Sequence, residues 1–201
     1  MRKYIILLIT AIMTLTTTVQ ALQANRPLAG SRARSIEQVL RLRPEEIEIG
    51  RAALIISQQW SDEVLGHRYL AKLDYMSDDL AYKIADKGLE NSPAAINILN
   101  DYLFKQQGYK PIDDADDPDD LFIHTVMDNR RGYCLSLSIL YLAIGERLDM
   151  PLYGVVVPGH FFVRYDDGQT KFNIETTANG AIVDDEHYLE KFDIPEDIDD
   201  S

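Results

Sequence analysis

The residues with the strongest chemical potential are one thiol, one imidazole and one carboxylate, met in that order. Cys134 is the sole cysteine and follows Arg130-Arg131-Gly132-Tyr133. It stands at the head of an apolar run, Leu135 to Leu148, that predicts a helix. A helix start presents unpaired amides and about half a positive charge, which favours thiolate over thiol. Arg131 would push the same way, and Gly132 would allow close approach of a substrate or a bend. The Cys134 amide could point at a developing oxyanion, with Asn129 a candidate for the second donor. His160 follows the Pro158-Gly159 turn and starts a predicted strand, where it could act as a general base. Glu175 lies on the next strand and could orient the imidazole, with Asn173 as the fallback. His67, His124 and His187 have no comparable setting.

The elements that must position these groups follow from periodicity. Leu152–Val157, His160–Tyr165 and Lys171–Thr176 read as three strands. Pro158-Gly159 and Asp166-Asp167-Gly168 supply the two turns between them. Alternation puts His160, Phe162 and Arg164 on one face, and Asn173 with Glu175 on one face of the third strand. The apolar Phe172 and Ile174 should face the core, leaving the polar pair toward a cleft. Upstream, Pro44 with Glu45 and Glu46 opens a helix, Ser61 starts a second and Ser77 a third that Gly88 closes. Ser92-Pro93 starts a fourth, with Ile96, Leu99, Leu103 and Phe104 at helical spacing. A short helix is expected around Leu121–Asp128.

The 201 residues carry a formal charge of −13, with 46% hydrophobic and 26% charged side chains. That composition fits a globular chain with enough length for a sizeable core. The acid excess argues against a nucleic-acid partner, which needs a basic face. One cysteine excludes an internal disulfide and a multi-thiolate zinc site. No cofactor or metal is expected. The run 113–120 holds six acids in eight residues but lacks EF-hand spacing, so it reads as a solvated loop. Residues 1–24 have the layout of a secretory signal peptide: Arg2 and Lys3, an apolar run, then small-residue cleavage patterns. Cleavage would take the charge to −15 and place the protein in the periplasm or outside the cell, with no membrane attachment. A lone thiol there is open to oxidation, so an idle one is disfavoured.

Arg131-Gly132-Tyr133-Cys134 resembles the Arg-x-Gly-x-Cys signature of transglutaminase-like proteins. The stretch Asn129–Leu148, with Pro158-Gly159-His160-Phe161, looks like the SirB-type branch of that superfamily. Upstream, Tyr69–Asp74 and Leu99–Gly108 fit as well, so the resemblance covers roughly residues 45–180. It implies an α+β papain-like core: a Cys-bearing helix on a small antiparallel sheet that carries His and the acid, with a helical N-terminal part packed beside it. Many SirB-type members have proline where Cys134 stands; this chain keeps the thiol. The family's third residue is usually aspartate, and Glu175 stands there.

The expected organisation is a signal peptide at 1–24, a tether at 25–43 and one domain at 44–183. Its helical part is 44–110 and its Cys-His-acid core 121–183, followed by an acidic tail at 184–201 in which Tyr188, Leu189 and Phe192 mark a short packed segment before a frayed end. The expected function is an exported thiol enzyme acting on amide or peptide bonds, by hydrolysis or acyl transfer. Its partner would be a protein or peptide substrate, with cationic ones favoured by the acidic surface. The rival readings are a non-catalytic peptide- or protein-binding module and a structural domain built on the helical half.

Overall fold

The computed structural model describes residues 29–112 and 116–192. The expected leader, the start of the tether, three residues of the acidic run and the end of the tail lie outside the described residues.

The centre of the molecule is one helix. Leu137, Leu140, Tyr141, Leu142, Ala143 and Ile144 are all buried along Cys134–Arg147. A helix apolar on every side must be covered on every side. At about 1.5–3 kcal/mol per fully buried large apolar side chain, this element organises the fold. In chain order the helices are α1 (Ile36–Val39), α2 (Ile49–Trp60), α3 (Gly66–Asp86), α4 (Ala95–Asn100), α5 (Ile123–Asn129), α6 (Cys134–Arg147) and α7 (Asp185–Phe192). Helices α2, α3 and α5 pack on one side of α6. On its other side lies an antiparallel sheet of β3 (Leu152–Val157), β4 (His160–Asp166), β5 (Lys171–Glu175) and β6 (Ala181–Val183), in that order. A separate parallel pair, β1 (Lys110–Pro111) and β2 (Arg131–Gly132), sits just before α6. The architecture is α+β.

Helix starts expected from capping signals are absent or displaced: α3 begins at Gly66 rather than Ser61, and α4 at Ala95, two residues past Pro93. Ser77 does not begin a helix; it lies buried inside the single helix α3. Leu73, Met76, Leu80 and Ile84 continue one buried stripe through the Ser-Asp-Asp signal. Packing along that stripe outweighs the local preference for a cap. Pro44 opens only a 3-10 turn, Pro44–Glu46, and the helix proper begins at Ile49. After α4 the chain widens into a π turn, Asp101–Gln106. At the end of α4, Asn100 accepts from the Tyr141 hydroxyl (2.8 Å) and donates to the Gly180 carbonyl (2.8 Å). It thereby ties the helical half to the turn that follows β5. Gly180 has φ 78°, and a Cβ there would lie 2.2 Å from Asn100 Oδ1.

The acidic run is not simply solvated. Asp119 accepts from the Trp60 indole at 2.5 Å, and Asp120 is buried and paired with Arg131 at 3.4 Å. Its final residues brace the start of α6. Of the expected tether, Gly30 and Ala33 are buried.

Candidate active site

The thiol is positioned by local structure on both sides. Arg130 ends α5 in the left-handed region (φ 54°), turning the chain directly into β2 and then α6. Gly132 packs so closely that a Cβ would come within 2.8 Å of Val126 and 3.0 Å of Ser136 Oγ. What approaches Gly132 is therefore the chain's own α5 and α6, not a substrate. Ser136 accepts from the Tyr133 amide (3.0 Å) and donates to the Asp120 carbonyl (2.7 Å), which fixes the first turn of α6.

Cys134 is the first residue of α6 and is 5% exposed. The backbone amide of Phe161, the residue after His160, favours the charged form of the sulphur, so the thiol lies near the start of β4. Burial pushes the thiol up, and the Glu175 charge adds to that push. The amides of Phe161, Leu135 and Cys134 act the other way and do not cancel it. The thiol is thus not lowered, contrary to what the helix start and the arginines lead one to expect. The amides do contribute, but desolvation is larger. Arg131 is directed at Asp120 and Arg130 at the Gln107 carbonyl (3.0 Å).

His160 faces Val157 across a turn in which Gly159 has φ 72°. Its Nε2 is 2.6 Å from Glu175 Oε2, and the two side chains are 10% and 4% exposed. With Nε2–H donating to the carboxylate, Nδ1 is the ring atom that can take a proton. Glu175, the last residue of β5, accepts four donors. Oε1 takes the Thr177 amide (3.0 Å) and hydroxyl (2.5 Å); Oε2 takes His160 and the Tyr188 hydroxyl (3.1 Å). Burial pushes this carboxyl up. The hydrogen bonds from Thr177 and His160 outweigh it and hold Glu175 below its ordinary value. One turn into α6, Ser138 and Thr176 share a buried hydrogen bond of 2.9 Å, locking the thiol-bearing helix to the strand end that carries Glu175.

Alternation along β4 and β5 is as expected, but the polar face is not an open cleft. Helix α7 lies over it. Tyr188 stacks on Phe162 (3.7 Å between centroids, 8°) and Phe192 on His160 (5.2 Å, 18°). Asn173 does not turn toward His160. Its oxygen accepts from Arg164 (2.8 Å), its cross-strand neighbour, and its nitrogen donates to Asp185 (2.7 Å). Asn129 stands exposed at the end of α5, and Gly132 and Arg131 brace the fold as described.

A family model described as the transglutaminase-like superfamily matches residues 67–193. The chain belongs to the transglutaminase-like superfamily. Among curated relatives, a UPF0162 protein of Xylella fastidiosa is 38% identical over 79 residues, 38% of this chain and 28% of that protein. A UPF0162 protein of Buchnera aphidicola is 38% identical over 72 residues, 36% of this chain and 26% of that protein. F-box only protein 21 of Homo sapiens is 30% identical over 120 residues, 56% of this chain and 18% of that protein. This transglutaminase-like chain thus spans less than a third of the relatives it matches, and the UPF0162 proteins fit the SirB-type branch. No solved structure matches it. The family match runs through α7, the stretch around Tyr188, Leu189 and Phe192 expected to pack before the tail. Tyr188, Phe192 and Thr177 were missed as site residues. The signals were Tyr188 and Phe192 at i, i+4 in a short amphipathic stretch, and a Glu-Thr-Thr turn in which the acid caps itself.

Among the described residues, no group of His, Cys, Asp and Glu is arranged to hold a metal ion. No described helix is long and apolar enough to cross a membrane.

Proposed function

We propose that this chain is an exported transglutaminase-like thiol enzyme acting on amide or peptide bonds. The observation that carries this reading is the buried Glu175–His160 pair at 2.6 Å, with the helix-start thiol near the amide of Phe161, the residue after His160. In this reading Cys134 gives its proton to His160 Nδ1 as the sulphur attacks the carbonyl carbon. Glu175 holds Nε2–H and stabilises the imidazolium that forms. The Cys134 amide faces the developing oxyanion. His160 then protonates the leaving amine, leaving a thioester. Water or an amine attacks that thioester, gives a proton back to Nδ1 and restores the thiol. Since burial raises the thiol, the sulphur carries its proton at rest, and its transfer accompanies attack. The acidic chain favours cationic peptide or protein substrates. Export rests on the pattern of residues 1–24.

The test is labelling with iodoacetamide near neutral pH. Cys134 should be the modified residue, and His160→Ala should slow its modification about 100-fold, the scale of general-base assistance. Equal rates in both proteins would defeat the reading.

A second reading has its own support. Cys134 is pushed away from thiolate and Phe192 lies on His160, as suits a non-catalytic module that holds a peptide or protein partner. Full biological activity of Cys134→Ala would favour it.

A further inference from the structure

Tyr188 comes from the helix that sequence reading assigned to a tail, yet it reaches the centre of the site. It is 2% exposed, and its ring lies flat on Phe162. Packing alone would be served by phenylalanine. The hydroxyl instead donates to Glu175 Oε2, the same oxygen that takes His160 Nε2–H. Two donors on one carboxylate oxygen share its charge, and each is held less strongly than it would be alone. The opposite oxygen is fully engaged by Thr177, so the carboxylate cannot rotate to relieve this competition.

We propose that Tyr188 is a positioning residue that moderates His160. Its hydroxyl takes up part of the charge on Glu175 Oε2 and so lowers the readiness of the imidazole to keep a proton. The inference rests on the Cys134–His160–Glu175 reading and extends it by a fourth side chain. Burial and the neighbouring carboxylate both push the Tyr188 hydroxyl up, so it stays a donor throughout the neutral range.

Among the described residues, the titratable groups shown in contact with His160 are Glu175 from β5 and Tyr188 from α7, while Cys134 of α6 lies by the Phe161 amide. On α7, His187 meets Tyr188 edge-on (5.1 Å, 88°), and Lys191 lies by Phe192. Arg164 and Asp185 pair with each other at 2.5 Å beside Asn173. Of these, Tyr188 alone shares the oxygen that holds the imidazole.

The experiment follows His160 by proton NMR in the full chain, in a Cys134→Ala background where the imidazole titrates without the thiol. Tyr188→Phe keeps the ring on Phe162 and removes only the hydroxyl. The His160 midpoint should rise by about half a pH unit or more. Glu175→Gln, run beside it, should lower that midpoint. Incorporation of 3-fluorotyrosine, a stronger donor, should lower it too, and Tyr188→Phe should abolish that fluorine effect. A merely structural Tyr188 would lower the melting temperature and leave the His160 titration in place; that result overturns the proposal. If Glu175→Gln also leaves His160 unmoved, the carboxylate–imidazole pairing itself fails, and the proposal with it. If only Tyr188→Phe is silent, the triad reading stands without this residue.

Discussion

Glu175→Gln tests the centre of the site with the least change of shape. The carboxylate accepts two donors on each oxygen. An amide of the same size has one accepting and one donating end. If its nitrogen faces Thr177, the Thr177 backbone N–H loses its acceptor, since only the hydroxyl can turn. If its nitrogen faces His160, the imidazole must accept at Nε2 and move its proton to Nδ1, the atom that receives the thiol proton in the proposed reaction. Each arrangement forfeits a hydrogen bond to a charged acceptor, about 1.5–3 kcal/mol, at a residue that is 3% exposed. The unfolding free energy at neutral pH should fall by about 2–4 kcal/mol, measured by urea denaturation. Alkylation of Cys134 by iodoacetamide should slow about 100-fold, equivalent to about 2.7 kcal/mol. The dependence on pH has a definite sign. Glu175 is held below its ordinary value of 4.5, so its stabilisation is fully present above that pH and is lost as pH falls through the folded value. The gap between wild type and Glu175→Gln should therefore narrow in acid. A variant as stable as wild type at neutral pH, or a gap that does not narrow in acid, refutes the account of this carboxylate.

Three further outcomes follow from neighbouring contacts. Gly132→Ala forces a Cβ against Val126 and should cost about 1–3 kcal/mol of stability in a thermal melt, with Val126→Ala restoring part of it. Ser138→Ala leaves the buried Thr176 hydroxyl unpartnered and should cost about 1–3 kcal/mol, less in the double variant with Thr176→Val. Burial raises Cys134 above its ordinary 9.0, so the fold should lose stability as pH rises past that value; Cys134→Ala should flatten this alkaline decline in urea midpoints.

The parts of the site legible in the sequence are those set by local rules. A thiol at a helix start, a histidine after a Pro-Gly turn and an acid two residues past Asn173 all follow from caps, turns and alternation. Two of the four donors to Glu175, the Thr177 amide and hydroxyl, are local, but the other two are tertiary, and only the folded chain brings α7 over β4. Alternation placed Asn173 and Glu175 on one face, but it does not say that Arg164 and Asp185 occupy the former. Likewise Ser77 carries a good capping signal that the buried stripe of α3 overrides. The lowered thiol expected from the helix dipole failed because the dipole is a local property and desolvation is not.

The β1–β2 clasp has a kinetic consequence. It is only two residue pairs long, yet it closes the chain from Ile112 to Arg130 into a loop and hands the chain on to the thiol-bearing helix. So short a ladder gains little from its neighbours and opens at a lower free energy than the four-stranded sheet. The amides of Lys110 and Ile112, which donate across it to Arg130 and Gly132, should exchange with solvent hydrogen well before those of β4. Such local opening would free the residues before Cys134 while the core around Tyr141 stays shut. The segment that leads into the thiol-bearing helix and the core that holds that helix thus open at different free energies.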